Sequence, residues 1–232
     1  AELSPDCLAS TFEIHGKKGY HSLSADKIEL AMQGSRHVTF LEPEELVRFL
    51  AGPDGDETIV GLRDKAILEL LFSTGLRVSE CAGLLIEQVN LKRDEFTVKG
   101  KGSKHRVVFV SDAAKRSLKA YLDHRRDVSQ FLFVRHDRAK NQAPEPASLT
   151  PRSVQRIVDR YARLAGITKP VTPHTLRHTF ATDLLRNGAD IRSVQSLLGH
   201  ESITTTQVYT HVTDKELKRV HQKFHGKQSP DA

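Results

Sequence analysis

The segment 172–212 decides the fold of this chain: TPHTLRHTFATDLLRNGADIRSVQSLLGHESITTTQVYTHV. Its first two residues, threonine and proline, favour the start of a helix, and Gly188 is suited to end it. Asp190 then caps a second, shorter helix that ends at Gly199. The segment therefore predicts two helices joined by a short turn.

The same start and stop signals predict further helices on both sides of this segment. A proline or a small polar residue opens most of them, and a glycine closes several. The predicted stretches are 43–51, 58–74, a short helix opening within 76–80, 112–125, 150–166 and, after the segment, 214–224. Their apolar residues recur at helical spacing, which is typical of helices that pack on a common core.

A change of period predicts a small sheet. Around residues 94–98 apolar and polar side chains alternate, and 106–110 is a β-branched run. The glycine-rich stretch 99–104 between them carries three lysines, so we expect a β-hairpin with a cationic tip. Residues 131–134 predict a third short strand. The predicted fold class is mainly α with a small three-stranded antiparallel β-sheet.

Composition narrows the class of protein. The chain has 232 residues and a formal net charge of +6, which suits one or two folded domains with a basic face for a polyanion, although this charge alone decides nothing. Cys7 and Cys81 form neither a disulfide framework nor a zinc spacing. The first residues do not resemble a secretory leader, and no stretch is apolar enough to cross a bilayer. We expect a soluble intracellular protein.

Several side chains could handle a phosphate. His174 and Arg177 lie three residues apart and share a helix face, while Arg77 follows a helix-ending glycine. Lys101 lies at the predicted hairpin tip, and Tyr209 lies in a threonine-rich run. Taken singly, each is ordinary: a solvated helix face, a solubilising lysine or a packed tyrosine.

His174 and His178 also have the i, i+4 spacing of a metal-binding pair. No third ligand is apparent, and Arg177 between them would oppose a cation. We therefore expect neither a metal nor a cofactor.

Taken together, these motifs resemble the tyrosine site-specific recombinases of the phage-integrase family, and most closely the Xer type. The resemblance runs from about Phe40 to Phe224. The matching stretches are STGLRVSE around Arg77, VKGKGSKHR around Lys101, HTLRHTFAT with His174 and Arg177, LLGH ending at His200, and TTQVYTHV with Tyr209.

The resemblance implies a role for each of these residues. Tyr209 would be the nucleophile that forms a 3′-phosphotyrosyl link to DNA, and Arg77 and Arg177 would clamp the scissile phosphate. Lys101 would protonate the leaving 5′-oxygen.

Three further residues complete the implied site. His174 would take part in proton transfer, and His200 would bond the phosphate. Glu80 would orient Arg77.

The resemblance also implies partners and a location. Double-stranded DNA would be the substrate, and helix 214–224 would dock into a neighbouring protomer to build a homotetramer, although it could instead cap its own core. Whether an accessory protein takes part stays an open question. We expect no contact with a membrane, and we expect the protein in the cytoplasm, at the nucleoid. The biological role would be chromosome dimer resolution or the integration and excision of a mobile element.

The domain organisation follows from the extent of the resemblance. Residues 1–39 would be a linker or the remnant of an N-terminal core-binding domain. Residues 40–225 would be the catalytic domain, and 226–232 a flexible tail.

Three alternatives are open to the sequence. A type IB topoisomerase would use the same chemistry as a monomer. A DNA-binding regulator would need only the helix-turn-helix-like spacing of 190–209 and none of the clustered site residues. A metal-dependent nuclease would need clustered carboxylates, which these motifs lack.

Overall fold

The computed structural model describes residues 39–99, 105–136 and 148–199. Seven helices, one short 3₁₀ turn and two strands lie within these ranges. They are α1 (Pro43–Ala51), α2 (Ile59–Thr74), α3 (Val78–Ala82), a 3₁₀ turn (Ile86–Gln88), β1 (Glu95–Lys99), β2 (His105–Phe109), α4 (Asp112–His124), α5 (Pro151–Leu164), α6 (Pro173–Arg186) and α7 (Ile191–Leu198). The prediction of a mainly helical fold with a small antiparallel sheet is confirmed.

The helices begin and end where the sequence predicts. The side chain of Thr172 accepts a hydrogen bond from the amide of Thr175 at the start of α6, and Asp190 accepts two from the first turn of α7. Gly75 and Gly199 end α2 and α7 in the left-handed conformation, with φ of 59° and 64°. A residue with a Cβ is strained in this conformation, so glycine lets the chain turn at both helix ends without strain.

Helix α2 lies at the centre of the main core. Its buried residues cover most of its circumference, and it packs mainly against α4 and α6 and also against α1, α3 and α5. Phe49, Tyr121 and Phe133 fill the space around it and are fully buried. Within the described residues, no helix is long and apolar enough to cross a membrane. Because α2 is enclosed, its C-terminal end is a rigid support for whatever follows it.

A second, smaller cluster joins α6 to α7. Ala181 and Leu185 of α6 pack against Val194 and Leu198 of α7, and all four side chains are buried. This contact fixes the direction in which α7 ends.

The sheet is smaller than predicted. Among the described residues, β1 and β2 form a two-stranded antiparallel hairpin, paired from Glu95 with Phe109 to Lys99 with His105. The predicted third strand at 131–134 is wrong. Phe131 and Val134 each make an isolated bridge to another segment, to Leu85 and Ser148.

The reason lies in the backbone partners of this stretch. The Arg125 guanidinium donates to the carbonyl oxygens of Phe131 and Leu132 at 2.7 and 2.9 Å, and the amide of Leu132 donates to the carbonyl of Leu84. The backbone groups that a third strand would need for hydrogen bonds to the sheet therefore already have other partners.

Other predictions lie outside the described residues: the hairpin tip, the helix 214–224, and most of the segments 1–39 and 200–232. The domain boundaries near residues 40 and 225 stay predictions.

Candidate active site

The turn between α2 and α3, the start of α3, the start of α6 and one side of α5 line an open cleft of about 570 Å³. Such a volume is typical of a small-ligand site and admits a phosphodiester group. The lining residues are Leu76, Arg77, Val78, Ser79, Gln155, Thr172, Pro173, His174 and Arg177. The structure thus brings together three of the predicted site residues, two arginines and one histidine, that are up to a hundred positions apart in the chain.

The turn at Gly75 aims Arg77 into this cleft. A Cβ at Gly75 would lie 2.6 Å from Cδ1 of Phe180, so the turn packs directly on α6. Arg77 then caps α3: its amide donates to Oε2 of Glu80 at 2.8 Å, and its Nη1 donates to Oε1 of the same carboxylate at 3.0 Å. Its Nη2 donates to the carbonyl of Gly199 at 3.2 Å. The guanidinium is held by two partners yet stays 36% exposed at the cleft.

Arg177 is far more buried than a solvated helix face would allow. Only 3% of the residue is exposed. Its Nη1 donates to the carbonyl of Gly75 and its Nη2 to the carbonyl of Leu198, both at 2.6 Å. The side chain therefore connects the end of α2 to the end of α7 through α6.

His174 lies on the same face of α6, as predicted. Partial burial in the cleft, followed by the positive charges of Arg177 and Arg77, lowers the pKa of His174 below the ordinary 6.5. Its ring contacts the ring of His178 edge-on, with 4.3 Å between centroids. At neutral pH the imidazole of His174 is uncharged and can accept a proton.

The predicted orienting residue Glu80 does lie against Arg77, but it also has a second, unpredicted partner. Arg106 of β2 donates from Nη1 and Nη2 to the two oxygens of Glu80, each at 2.8 Å. Burial alone would raise the pKa of Glu80, but hydrogen bonds from Arg106 and from the Arg77 amide outweigh it and hold the pKa below its ordinary value.

One signal for Arg106 was available in the sequence. Along a strand every second side chain faces the same way, so Arg106 shares the inward face of β2 with Val108. A charged residue on an inward face needs a buried partner of opposite charge. The sequence could indicate that a partner exists, but not that it is Glu80.

Groups that could bind a metal do not gather in this part of the chain. Within the described residues, no three His, Cys, Asp or Glu side chains are placed to share an ion. Cys81 is fully buried, and burial, followed by the charge of Glu80, raises the pKa of its thiol to about 12. A thiol with such a pKa is inert at neutral pH.

Lys101, His200 and Tyr209 lie outside the described residues. The chain leading to His200 is described, however. The carbonyl of Leu198 binds Arg177 and that of Gly199 binds Arg77, so both arginines hold the backbone just before this histidine.

Comparison with known proteins agrees with this arrangement. The model of the phage integrase family matches residues 39–216. The chain belongs to this family, whose curated members similar to it are tyrosine recombinases.

Two relatives and one solved structure illustrate the similarity. The chain is 39% identical over 230 residues to tyrosine recombinase XerC of Thermodesulfovibrio yellowstonii, covering 97% of this chain and 75% of that protein. It is 40% identical over 206 residues to tyrosine recombinase XerD of Listeria innocua, covering 86% of this chain and 66% of that protein.

The structure of XerH recombinase bound to palindromic difH DNA after cleavage is also similar, with a TM-score of 0.70 and 27% identity over 87% of this chain and 58% of that one. The chain thus spans roughly three fifths to three quarters of the length of these proteins.

Proposed function

We propose that this chain is a site-specific DNA recombinase that cleaves and rejoins duplex DNA through a 3′-phosphotyrosyl intermediate. The observation that carries this proposal is the convergence of Arg77, Arg177 and His174 on one cleft, where burial and the two arginines lower the pKa of His174. Such a cleft can neutralise a phosphodiester and accept a proton at the same time, as attack by a tyrosine on phosphorus requires.

In the proposed cleavage step, the hydroxyl oxygen of Tyr209 attacks the scissile phosphorus, and the bond from phosphorus to the 5′-oxygen breaks. A tyrosine of ordinary pKa near 10 is protonated at neutral pH, so a base is needed, and His174 takes that proton. Lys101 gives a proton to the departing 5′-oxygen. The products are a 3′-phosphotyrosyl ester and a free 5′-hydroxyl.

Negative charge builds on the non-bridging oxygens during this step. Two planar guanidiniums, Arg77 and Arg177, can each donate two N–H groups to those oxygens. His200 adds a further hydrogen bond. Arg177 is fixed by two short bonds to backbone carbonyls, so little reorganisation is needed when the phosphate arrives.

Rejoining is the reverse reaction. Cleavage replaces one phosphoester bond, to the 5′-oxygen, by another, to Tyr209, so the bond energy is conserved. The 5′-hydroxyl of the same or of a second DNA duplex can therefore attack the phosphotyrosyl ester and release Tyr209. The exchange of strands therefore consumes no ATP.

Double-stranded DNA fits the charges around the cleft. Gln155 of α5 lines the cleft, and the neighbouring Arg152 and Arg156 on the same helix are exposed. Exposed arginines beside a phosphate site favour contact with the DNA backbone.

We further propose assembly into a homotetramer on DNA through the predicted helix 214–224. Next to the active-site elements lies an apolar groove of about 370 Å³ between α2, β2, α6 and α7. Phe109 on its rim is 53% exposed, and Phe180 and Leu184 lie inside. The apolar residues predicted on helix 214–224 match it in chemistry, so a second copy of the chain is the occupant we propose.

The test of assembly is the size of the complex on DNA. Phe109→Ser should leave the chain folded and lower the tetramer fraction in analytical ultracentrifugation, as deleting 214–232 should. An unchanged tetramer fraction would show that helix 214–224 packs on the core of its own protomer and would refute this part of the proposal.

Relatives named XerC and XerD favour a Xer-type enzyme, and we propose chromosome dimer resolution in the cytoplasm, at the nucleoid, as its role.

The decisive test is covalent capture. The protein is incubated in EDTA with a library of nicked duplexes of random sequence, and DNA that stays attached to protein in SDS is recovered and sequenced. We expect the wild type to enrich one sequence and Tyr209→Phe to enrich none. Tyr161→Phe, which alters a buried tyrosine of α5, is the matched control and should capture DNA. DNA binding without any adduct would favour a regulator and refute the proposal.

A further inference from the structure

We propose that Arg106 is a positioning residue for DNA cleavage: it holds Glu80 and the end of α7 so that Arg77 presents its charge to the scissile phosphate. The inference rests on the proposed function and adds to it a residue outside the cleft lining.

Arg106 is largely buried, and its guanidinium is held by several hydrogen bonds. Its side chain is 10% exposed and that of Glu80 is 7% exposed. Besides the two bonds to Glu80, its Nε donates to the carbonyl of Leu197 at 3.2 Å. A Cβ at Gly199 would lie 2.8 Å from Cδ of Arg106, so the side chain packs directly against the end of α7. A bulkier residue at 199 would displace it.

Glu80 is shared evenly between the two arginines. Oε1 accepts Nη1 of Arg77 at 3.0 Å and Nη1 of Arg106 at 2.8 Å, while Oε2 accepts the Arg77 amide and Nη2 of Arg106, both at 2.8 Å. One carboxylate between two guanidiniums leaves a net positive charge. Without Arg106, Glu80 and Arg77 would form a neutral pair, and Arg77 would attract a phosphate less strongly.

The same arginine completes a set of three at the end of α7. The consecutive carbonyls of Leu197, Leu198 and Gly199 accept hydrogen bonds from Arg106, Arg177 and Arg77 respectively. The negative end of a helix stabilises cations placed there and offsets their mutual repulsion. Arg106 therefore fixes the backbone that leads directly to His200.

A structural role alone would weaken cleavage of any substrate equally. A role through the charge on Arg77 predicts a selective effect, because a methylphosphonate at the scissile position lacks one charged non-bridging oxygen. The loss of Arg106 should matter less on this neutral substrate than on the natural phosphodiester.

The experiment measures single-turnover cleavage of nicked duplexes of the captured sequence, with and without the methylphosphonate. Arg106→Gln should slow cleavage of the phosphodiester by about 10²-fold, the scale of losing one preorganised donor. On the methylphosphonate the wild type and the variant should differ only a few-fold. Arg77→Ala combined with Arg106→Gln should be no slower than Arg77→Ala alone, since residues acting through one another are not additive.

Two further variants control for folding. Arg125→Lys alters another buried arginine that binds a carboxylate and backbone carbonyls, but away from the cleft, and it should affect both substrates equally. If Arg106→Gln does not fold, Arg106→Lys replaces it, because lysine keeps the charge but lacks the planar fork.

Equal losses on both substrates, or no loss in a folded variant, would overturn the inference while the wild-type adduct upholds the proposed function. If the wild type itself forms no adduct, both fail.

Discussion

The two arginines of the cleft should separate stability from catalysis. In Arg177→Met the carbonyls of Gly75 and Leu198 lose a buried charged donor. An unpaired buried carbonyl costs about 1–3 kcal/mol, so we expect a loss of roughly 2–5 kcal/mol in the free energy of unfolding, partly offset because a buried cation is removed. Arg77→Met removes a guanidinium that is 36% exposed, which should cost about 1 kcal/mol or less.

Urea unfolding followed by far-UV circular dichroism measures both effects, since the chain has no tryptophan. With a urea dependence of about 2 kcal/mol per molar, the midpoint should fall by about 1–2.5 M for Arg177→Met and by about 0.5 M or less for Arg77→Met. Arg116→Met alters an exposed arginine of α4 and should leave the midpoint unchanged.

Cleavage should nevertheless be lost in both cleft variants, because each removes one of the two guanidiniums proposed to bind the phosphate. Equal midpoints for the two variants would refute the reasoning, since the bonds of Arg177 to the two carbonyls would then contribute nothing. Full cleavage by folded Arg77→Met would remove that residue from the site.

Three further predictions follow from the geometry. Gly75→Ala should lower both stability and cleavage in urea unfolding and the adduct assay, because its Cβ would meet Phe180. The control Gly166→Ala has a similar positive φ but nothing within 4 Å, so it should lower the free energy of unfolding by only about 1 kcal/mol and leave cleavage intact. The cleavage rate should rise with pH and level off, with a midpoint below 6.5, because His174 has a lowered pKa and is neutral above that midpoint; in His174→Gln this rise should be absent. Circular dichroism at each pH checks folding, because a lowered histidine pKa also reduces stability as the pH falls below 6.5. Arg156→Gln should weaken DNA binding and reduce the slope of log affinity against log salt by about 1 in a filter-binding titration.

Much of this fold was predictable because its signals are local. Thr172 and Asp190 cap helices within three residues of themselves, and Gly75 is needed where the backbone takes a positive φ. The residues 131–134 misled the prediction because a β-branched or aromatic run reports suitability for extended backbone, not which segment it pairs with. In the structure, the carbonyls of Phe131 and Leu132 accept hydrogen bonds from Arg125, and the amide of Leu132 donates to Leu84.

Three of the predicted site residues, Arg77, His174 and Arg177, do share one cleft, but the contacts that hold them there could not be predicted from the sequence. The sequence placed His174 and Arg177 on one helix face, and the cleft confirms it. The spacing that predicted a shared face also favoured a solvated one, yet Arg177 is buried. Its acceptors are carbonyls 102 and 21 residues away, and backbone carbonyls leave no signature in a sequence.

The same limit explains why Arg106 escaped notice, and it suggests why the site is built as it is. Three guanidiniums in one place repel each other, and a single carboxylate, Glu80, offsets only part of their charge. The remaining compensation comes from the last carbonyls of α7, which carry no formal charge and cannot be titrated. Such a site keeps a net positive charge for a phosphate while each arginine stays fixed, whereas extra carboxylates would stabilise the arginines and repel the DNA. Attraction of the substrate and rigidity of the site thus depend on the same helix end.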